Sequence, residues 1–337
     1  MTDQNRVAEG WLKLGTALSH TARLTPDDHG CYVNPPVTRG STVVFPSLEA
    51  MQRQGNARYD HESIYGAMGS PIQHELEKAI ATIEGGADCQ IVSSGLAACT
   101  LPLLAFLSAG DHCLFSDSVY GPTRRFAETV LRRFGVEVSY FPPMAEEKEL
   151  EAFITPRTRV IFTESPGSHT FEVQDIPMLA QVAHRNGAKL FIDNTWGFGI
   201  FAPFAHGADL SIQALTKYPA GHSDVIAGAI TVADRKTWEQ LRDTAIETGP
   251  VSYTHLRAHE TKAHLACRLL LEKKKNKTSE QESCLFTLSP PHYRIIHPSA
   301  ELPLGHSPSL THPTLPSPPR PYRASILHSS LAPLLAL

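Results

Sequence analysis

Several polar groups in this 337-residue chain stand directly after apolar runs, where burial makes them costly unless they do something. QIVSSG ends one such run at Ser93, Ser94 and Gly95 and opens at once into the apolar stretch GLAACTLPLL. If that stretch is a helix, its free N–H groups and positive dipole end face the turn, and a phosphate is a natural occupant. A plain serine cap would have the same sequence. AKLFIDNTW places Asp193 after another apolar run, where the carboxylate must find a cation or a donor, unless it only caps the loop that follows. SIQALTKY places Lys217 after a third run, as either a snorkelling surface residue or a desolvated amine with a lowered pKa. In combination, a phosphate turn, an acid and an amine are what pyridoxal 5′-phosphate (PLP) requires. The amine forms a Schiff base, the acid holds the pyridinium proton, and the turn holds the phosphate. Tyr120, in SVYGPT, adds an aromatic plane to stack on the ring, and Thr216 adds a hydroxyl for the phosphate. The chain has no GxGxxG and no GxxxxGKS/T, which counts against a dinucleotide or a nucleoside triphosphate.

The elements that must position these groups alternate along residues 61–250. PIQHELEKAIATIEG carries Ile72, Leu76, Ile80 and Ile83 at helical spacing and stops at Gly85 and Gly86, predicting a helix. After it come short apolar runs separated by helical stretches: QIVSS, HCLFSD, EVSYF, RVIFTES, AKLFIDN, DLSIQALT and VIAGAITVA, with a last helix from Arg235. This predicts an α/β fold, a mostly parallel sheet flanked by helices on both faces. Ligands of such sheets sit beyond the carboxyl ends of the strands, which is where the polar groups above fall. Residues 1–60, with turn pairs and scattered apolar residues, read as an extended N-terminal arm.

ESPGS (164–168), IDNTW (192–196) and SIQALTKYPAGHSD (211–224) resemble the PLP-dependent enzymes of cysteine and methionine metabolism, and within them the cystathionine β-lyase branch. The resemblance runs from about Thr16 to Thr248 and implies the fold type I of PLP-dependent transferases. It implies that Lys217 carries the cofactor as a Schiff base and then serves as the proton-transfer base, that Asp193 pairs with the pyridine nitrogen, and that Tyr120 stacks on the ring. Gly95 and Leu96 N–H, with Thr216, would bind the phosphate. Tyr65, in YGAMGSP, matches the tyrosine that the family sends into a neighbouring subunit, implying a homodimer or homotetramer. The implied activity is β-elimination of a small sulfur amino acid, L-cystathionine or a relative, to homocysteine, pyruvate and ammonia. A γ-lyase or cystathionine γ-synthase of the same family is the alternative; ESPGS and Trp196 favour the β-lyase branch.

Three departures from the family pattern stand out. Ala67 occupies the place of an arginine that the family supplies to the neighbour's phosphate, with Arg58 close in sequence but out of register. Ala214 replaces a common serine three residues before the lysine. The family's C-terminal domain, with its substrate-carboxylate arginine, has no counterpart after residue 250. Composition breaks at that point: residues 1–250 carry a net charge of −9, whereas residues 251–337 carry +5, with 11 of the 26 prolines, 8 of the 17 histidines and a single glycine. The segment VSYTHLRAHET (251–261) resembles the translation of a transposase-type sequencing adapter, and the lysines that follow resemble AAA codons. The expectation is a non-native or disordered tail over 251–337, and an inactive truncated fragment if the chain exists as written.

The remaining features exclude rather than assign. Thirty Lys+Arg against 34 Asp+Glu leave no electrostatic footprint for nucleic acid. No run of 18 apolar residues predicts a membrane span, and no leader is evident, so the reading is cytoplasmic. Six cysteines form no CxxC pair, and no histidines stand at HExxH spacing, so neither a disulfide nor a metal site is expected.

Overall fold

Seven apolar runs become seven strands: β1 Asp88–Val92, β2 His112–Ser116, β3 Glu137–Phe141, β4 Thr158–Glu164, β5 Lys189–Asp193, β6 Leu210–Gln213 and β7 Gly228–Val232. The computed structural model describes residues 15–16, 32–33, 36, 38, 40–52 and 57–249. Most of the 1–60 arm and the whole 251–337 tail lie outside the described residues. Within the arm, Leu48–Gln52 forms a helical turn, started by Ser47, whose Oγ accepts from Ala50 N–H at 3.1 Å.

The strands form one sheet in the order β1-β7-β6-β5-β4-β2-β3. All pairings among β6, β5, β4, β2 and β3 are parallel, while β7 runs antiparallel to both β1 and β6. The mostly parallel sheet expected from the alternation is therefore present, with one reversed strand. The reason lies in the connection. A parallel neighbour needs a long crossover, usually a helix, whereas residues 214–227 between β6 and β7 contain none. The chain instead folds back over the strand ends through the loop that carries Lys217.

Helices cover both faces: α1 Pro71–Glu84, α2 Gly95–Phe106, α3 Gly121–Phe126, α4 Glu147–Glu151, α5 Ile176–Arg185 and α6 Arg235–Thr248. Helix α1 starts at Pro71, where proline's missing N–H costs nothing. It ends where Gly85 turns left-handed (φ 77°) and donates to Ala81 O at 2.8 Å. Helix α2 is apolar nearly all round because it is covered on two sides, by the sheet and by α6, whose Gln240 Nε2 donates to Ala105 O at 2.8 Å. Alternation along the central strands fills both cores. Phe115, Phe162 and Phe191 point to the α2/α6 side, and Leu114, Ile161, Leu190 and Ile192 to the α5 side.

Helix α6 also ties down the segment before α1. Trp238 Nε1 donates to Tyr59 O at 2.9 Å, and Arg242 Nε to Arg58 O at 3.1 Å. The same buried guanidinium donates to Gln90 Oε1 at 2.5 Å and to Met68 O. Residues 57–69, which carry Tyr65, are thus stapled from the far end of the described chain.

Candidate active site

The parallel register places two carboxylates side by side. Glu164 ends β4, Asp193 ends β5, and the two are paired across the ladder. Both are buried, at 6% and 7% exposure. Desolvation pushes both carboxyls up, and the neighbouring Asp193 adds to the rise of Glu164, to about 8. They are not equivalently held. Glu164 Oε2 accepts from Tyr120 N–H at 2.6 Å, which fixes the backbone at the start of α3. Asp193 Oδ1 accepts twice from Thr195, from Oγ1 at 2.6 Å and from N–H at 3.1 Å. Thr195 Oγ1 in turn accepts from Ala214 N–H at 3.0 Å, locking the end of β5 to the start of the lysine loop. Among the described residues Asp193 Oδ2 has only the thiol of Cys99, at 3.6 Å, a weak donor whose own pKa burial drives well above the usual thiol value.

Below these ends lies a buried polar floor. Glu84, at the last turn of α1, accepts from Ser211 Oγ at 2.5 Å and from Asn194 Nδ2 at 3.3 Å, and Gln213 Nε2 donates to Asn194 O at 2.9 Å. The Asn194 carbonyl and amide are thereby fixed between β5 and β6, and with them the direction in which Asp193 leaves the sheet.

The turn after β1 behaves as the sequence predicts. Ser94 is the N-cap of α2, its Oγ accepting from Ala97 N–H at 3.1 Å. This leaves Gly95 and Leu96 among the first N–H groups of the helix, which have no intrahelical acceptor. The turn packs hard against its neighbours. A Cβ on Gly95 would lie 2.7 Å from Ala214 Cβ, and one on Gly228 would lie 2.2 Å from Ser94 O. Both glycines are required for this close approach rather than for an unusual φ.

These pieces surround a pocket of about 1270 Å³ whose lining includes Gly95, Leu96, Cys99, Tyr120, Glu164, Asp193, Thr216 and Lys217. Six of the seven residues singled out from the sequence therefore share one pocket. The seventh, Tyr65, is not in its lining. It is 49% exposed, precedes the turn Gly66–Met68, and bridges to Thr42. Two details qualify the sequence reading. Lys217 is exposed, so this chain alone does not desolvate the amine. The Thr216 hydroxyl is already engaged with Ala227, donating to its O at 3.2 Å and accepting from its N–H at 3.3 Å.

The structure also adds residues to which the sequence gave no place in the pocket. Glu164 and Cys99 flank Asp193. At the pocket wall, Phe171 meets Trp196 edge to face at 5.4 Å, and Trp196 meets Tyr218 at 5.9 Å. Glu164 had a visible signal, a carboxylate closing the run RVIFTE. Cys99 had none, because a cysteine within an apolar helix reads as core.

PLP fits these residues. Asp193 Oδ2 is a buried carboxylate oxygen without a strong donor, suited to a protonated ring nitrogen. The glycine-lined helix start suits a phosphate, with an amine and a phenol on the same pocket.

Residues 15–259 match the family model described as Cys/Met metabolism PLP-dependent enzyme. The chain is 40% identical over 241 residues to a cystathionine beta-lyase of Bordetella avium, covering 70% of this chain and 60% of that protein. It is 37% identical over 240 residues to cystathionine beta-lyase MetC of Escherichia coli, with the same two coverages. Among solved structures, metB from Corynebacterium glutamicum superposes with a TM-score of 0.68 at 26% identity, covering 80% of this chain and 69% of that one. The chain spans 55–65% of the length of the curated relatives it matches.

Proposed function

The chain belongs to the Cys/Met metabolism PLP-dependent enzymes, and from that premise we propose that the protein built on this domain cleaves the β carbon–sulfur bond of L-cystathionine or a related sulfur amino acid. The products are homocysteine, pyruvate and ammonia, with one water consumed. The observation that carries this reading is the convergence of Lys217, Asp193, Tyr120 and the Gly95 turn on one pocket, in a chain most of whose length matches cystathionine beta-lyases.

Bound there, PLP supplies an electron sink for the pair left when the substrate loses its α-proton. Lys217 would hold the cofactor through Nζ, and the same nitrogen, as the free amine, would take the substrate's α-proton. Asp193 keeps a proton on the aromatic nitrogen; a cation there relieves the desolvation that otherwise raises its carboxyl. Thr195 fixes the carboxylate through Oδ1, leaving Oδ2 for this contact. Gly95 and Leu96 N–H orient the phosphate at the positive end of α2, and Thr216 contributes once its hydroxyl turns from Ala227. Tyr120, anchored through its N–H to Glu164, covers the ring. A second copy of the chain supplies Tyr65 across a homodimer or homotetramer interface. In this reading residues 1–60 are an arm and 61–250 the PLP-binding domain.

The test is product analysis on the protein read continuously through codon 250. L-Cystathionine should yield pyruvate, detected with lactate dehydrogenase and NADH, and Lys217→Ala should abolish it. Release of 2-oxobutyrate would move the assignment to γ-cleavage, and unchanged turnover in Lys217→Ala would remove Lys217 from the reaction.

A further inference from the structure

A second cluster of titratable side chains, none of which lines the PLP pocket, sits where the 57–69 segment meets α1. His61, His74 and Glu77 converge so that one ligand atom of each lies within 4.8 Å of the other two. His74 is 3% exposed and Glu77 fully buried, and the His61 side chain is 11% exposed. Of the three inward atoms, His61 Nδ1, His74 Nε2 and Glu77 Oε2, the buried His74 Nε2 has no hydrogen-bond partner among the described residues. His61 Nδ1 and Glu77 Oε2 face each other as an ion pair at 3.1 Å.

The outward atoms, by contrast, are held. His61 Nε2 donates to Asp88 Oδ1 at 2.6 Å, and Glu77 Oε1 accepts from Ile91 N–H at 3.1 Å and Gln73 Nε2 at 3.2 Å. A carboxylate on the far nitrogen of a histidine, and hydrogen bonds on the far oxygen of a carboxylate, are the outer supports that metal ligands ordinarily carry. His61 adopts a left-handed backbone (φ 58°), a conformation that a non-glycine residue keeps only when its surroundings over-determine it. Gly69 leaves room for the second imidazole, since a Cβ there would lie 2.3 Å from His74 Nε2. With Nε2 of His61 committed to Asp88, His61 Nδ1 presents a lone pair to Glu77 Oε2 and His74 Nε2 once its proton is displaced, as metal binding requires of a histidine ligand. A proton between His61 and Glu77 would satisfy that pair and leave His74 Nε2 buried and unpartnered.

The geometry points to a zinc-class site formed by His61, His74 and Glu77, with a water as fourth ligand, joining the 57–69 segment to α1. Two imidazoles and one carboxylate are a zinc ligand set of the kind that keeps one position open. A tetrahedral site with bonds of about 2.1 Å has edges of about 3.4 Å, so closing the present triangle takes side-chain shifts of roughly 1 Å. The pair His74 and Glu77 lies one turn apart on one face of α1, and His61 arrives from the preceding segment, which is why no short sequence motif announces the site.

The experiment uses the full chain, stripped with chelator and titrated with CoCl2 or ZnCl2. Bound metal is measured by mass spectrometry of the eluate and cobalt coordination by its visible bands. The wild type should bind one more equivalent than His74→Asn and melt at a higher temperature with zinc than with chelator. His184→Asn, a surface histidine outside the cluster, should match the wild type, which controls for the loss of an unrelated imidazole. Asp88→Asn should weaken the site 10- to 100-fold. If His74→Asn does not fold, Asp88→Asn and the zinc-dependent melting shift of the wild type still decide. Equal metal content in wild type and His74→Asn, no melting shift with zinc, or unchanged affinity in Asp88→Asn would each overturn the site.

Discussion

Replacing Gly95 by alanine tests the cradle without touching any group that does chemistry. The new Cβ would lie 2.7 Å from Ala214 Cβ and 3.2 Å from Ala214 Cα, where unstrained carbon contacts are about 3.5–4.0 Å. Either α2 must withdraw by close to 1 Å or the start of the lysine loop must move, and both carry parts of the PLP site. Overpacking of this kind costs about 1–3 kcal/mol, which at 1.4 kcal/mol per tenfold is a loss of about 5- to 140-fold in PLP affinity. Alanine's better helix propensity, up to about 1 kcal/mol, opposes this in stability but not in cofactor geometry. Cofactor affinity is read by titrating PLP into the stripped protein and following its absorbance. Gly121→Ala is the control, since nothing lies within 4 Å of its added Cβ; it should bind as the wild type does. The double variant Gly95→Ala/Ala214→Gly removes the clashing methyl and should recover most of the loss. PLP binding within twofold of wild type in Gly95→Ala, or a loss that Ala214→Gly leaves untouched, would refute the steric argument.

Asp193→Asn should keep the Thr195 contacts but lose the charge facing the ring nitrogen, weakening PLP tenfold or more and dropping turnover by several orders of magnitude; near-normal rates would end its assigned role. Glu164 gives a pH dependence. Its carboxyl is raised from 4.5 to about 8, by burial first and Asp193 second, so its contribution to stability is full below about pH 4.5 and is lost as pH rises through about 8. In the stripped protein, Glu164→Gln should reduce the pH dependence of the unfolding free energy, read from urea melts between pH 5 and 9, by a few kcal/mol, and a variant that keeps the wild-type slope would contradict this. Arg242→Met removes a fully buried guanidinium from Arg58 O, Met68 O and Gln90. Unpaired buried partners should cost about 3 kcal/mol or more, visible in thermal melts, and a change under 1 kcal/mol would show that the 57–69 segment is held by other contacts.

Much of this architecture was legible in the chain because its signals are local. Every strand coincides with an apolar run, and the helix Pro71–Glu84 ends where the paired glycines require it to. In the same way Asp193 and Lys217 announced themselves as polar residues closing apolar runs, and the combination with the Ser94–Gly95 turn was enough to specify the kind of cofactor. Among the described residues no helix is long and apolar enough to cross a membrane, as hydropathy alone predicts.

What tertiary structure alone decided is everything that depends on register or on contacts distant in the chain. The reversal of β7 follows from a helix-free loop, but only the assembled sheet shows it laying that loop across the strand ends. Glu164 becomes a partner of Asp193 through a parallel pairing that aligns two strand ends 29 residues apart. Cys99 reaches Asp193 across 94 residues. His61, His74 and Glu77 meet because α6 pins the segment before α1, an arrangement with no periodicity to betray it. Sequence patterns report which face an element buries, because that depends on spacing along one chain segment. Which buried polar atom meets which depends on how separate segments pack, and that is fixed only when the core closes.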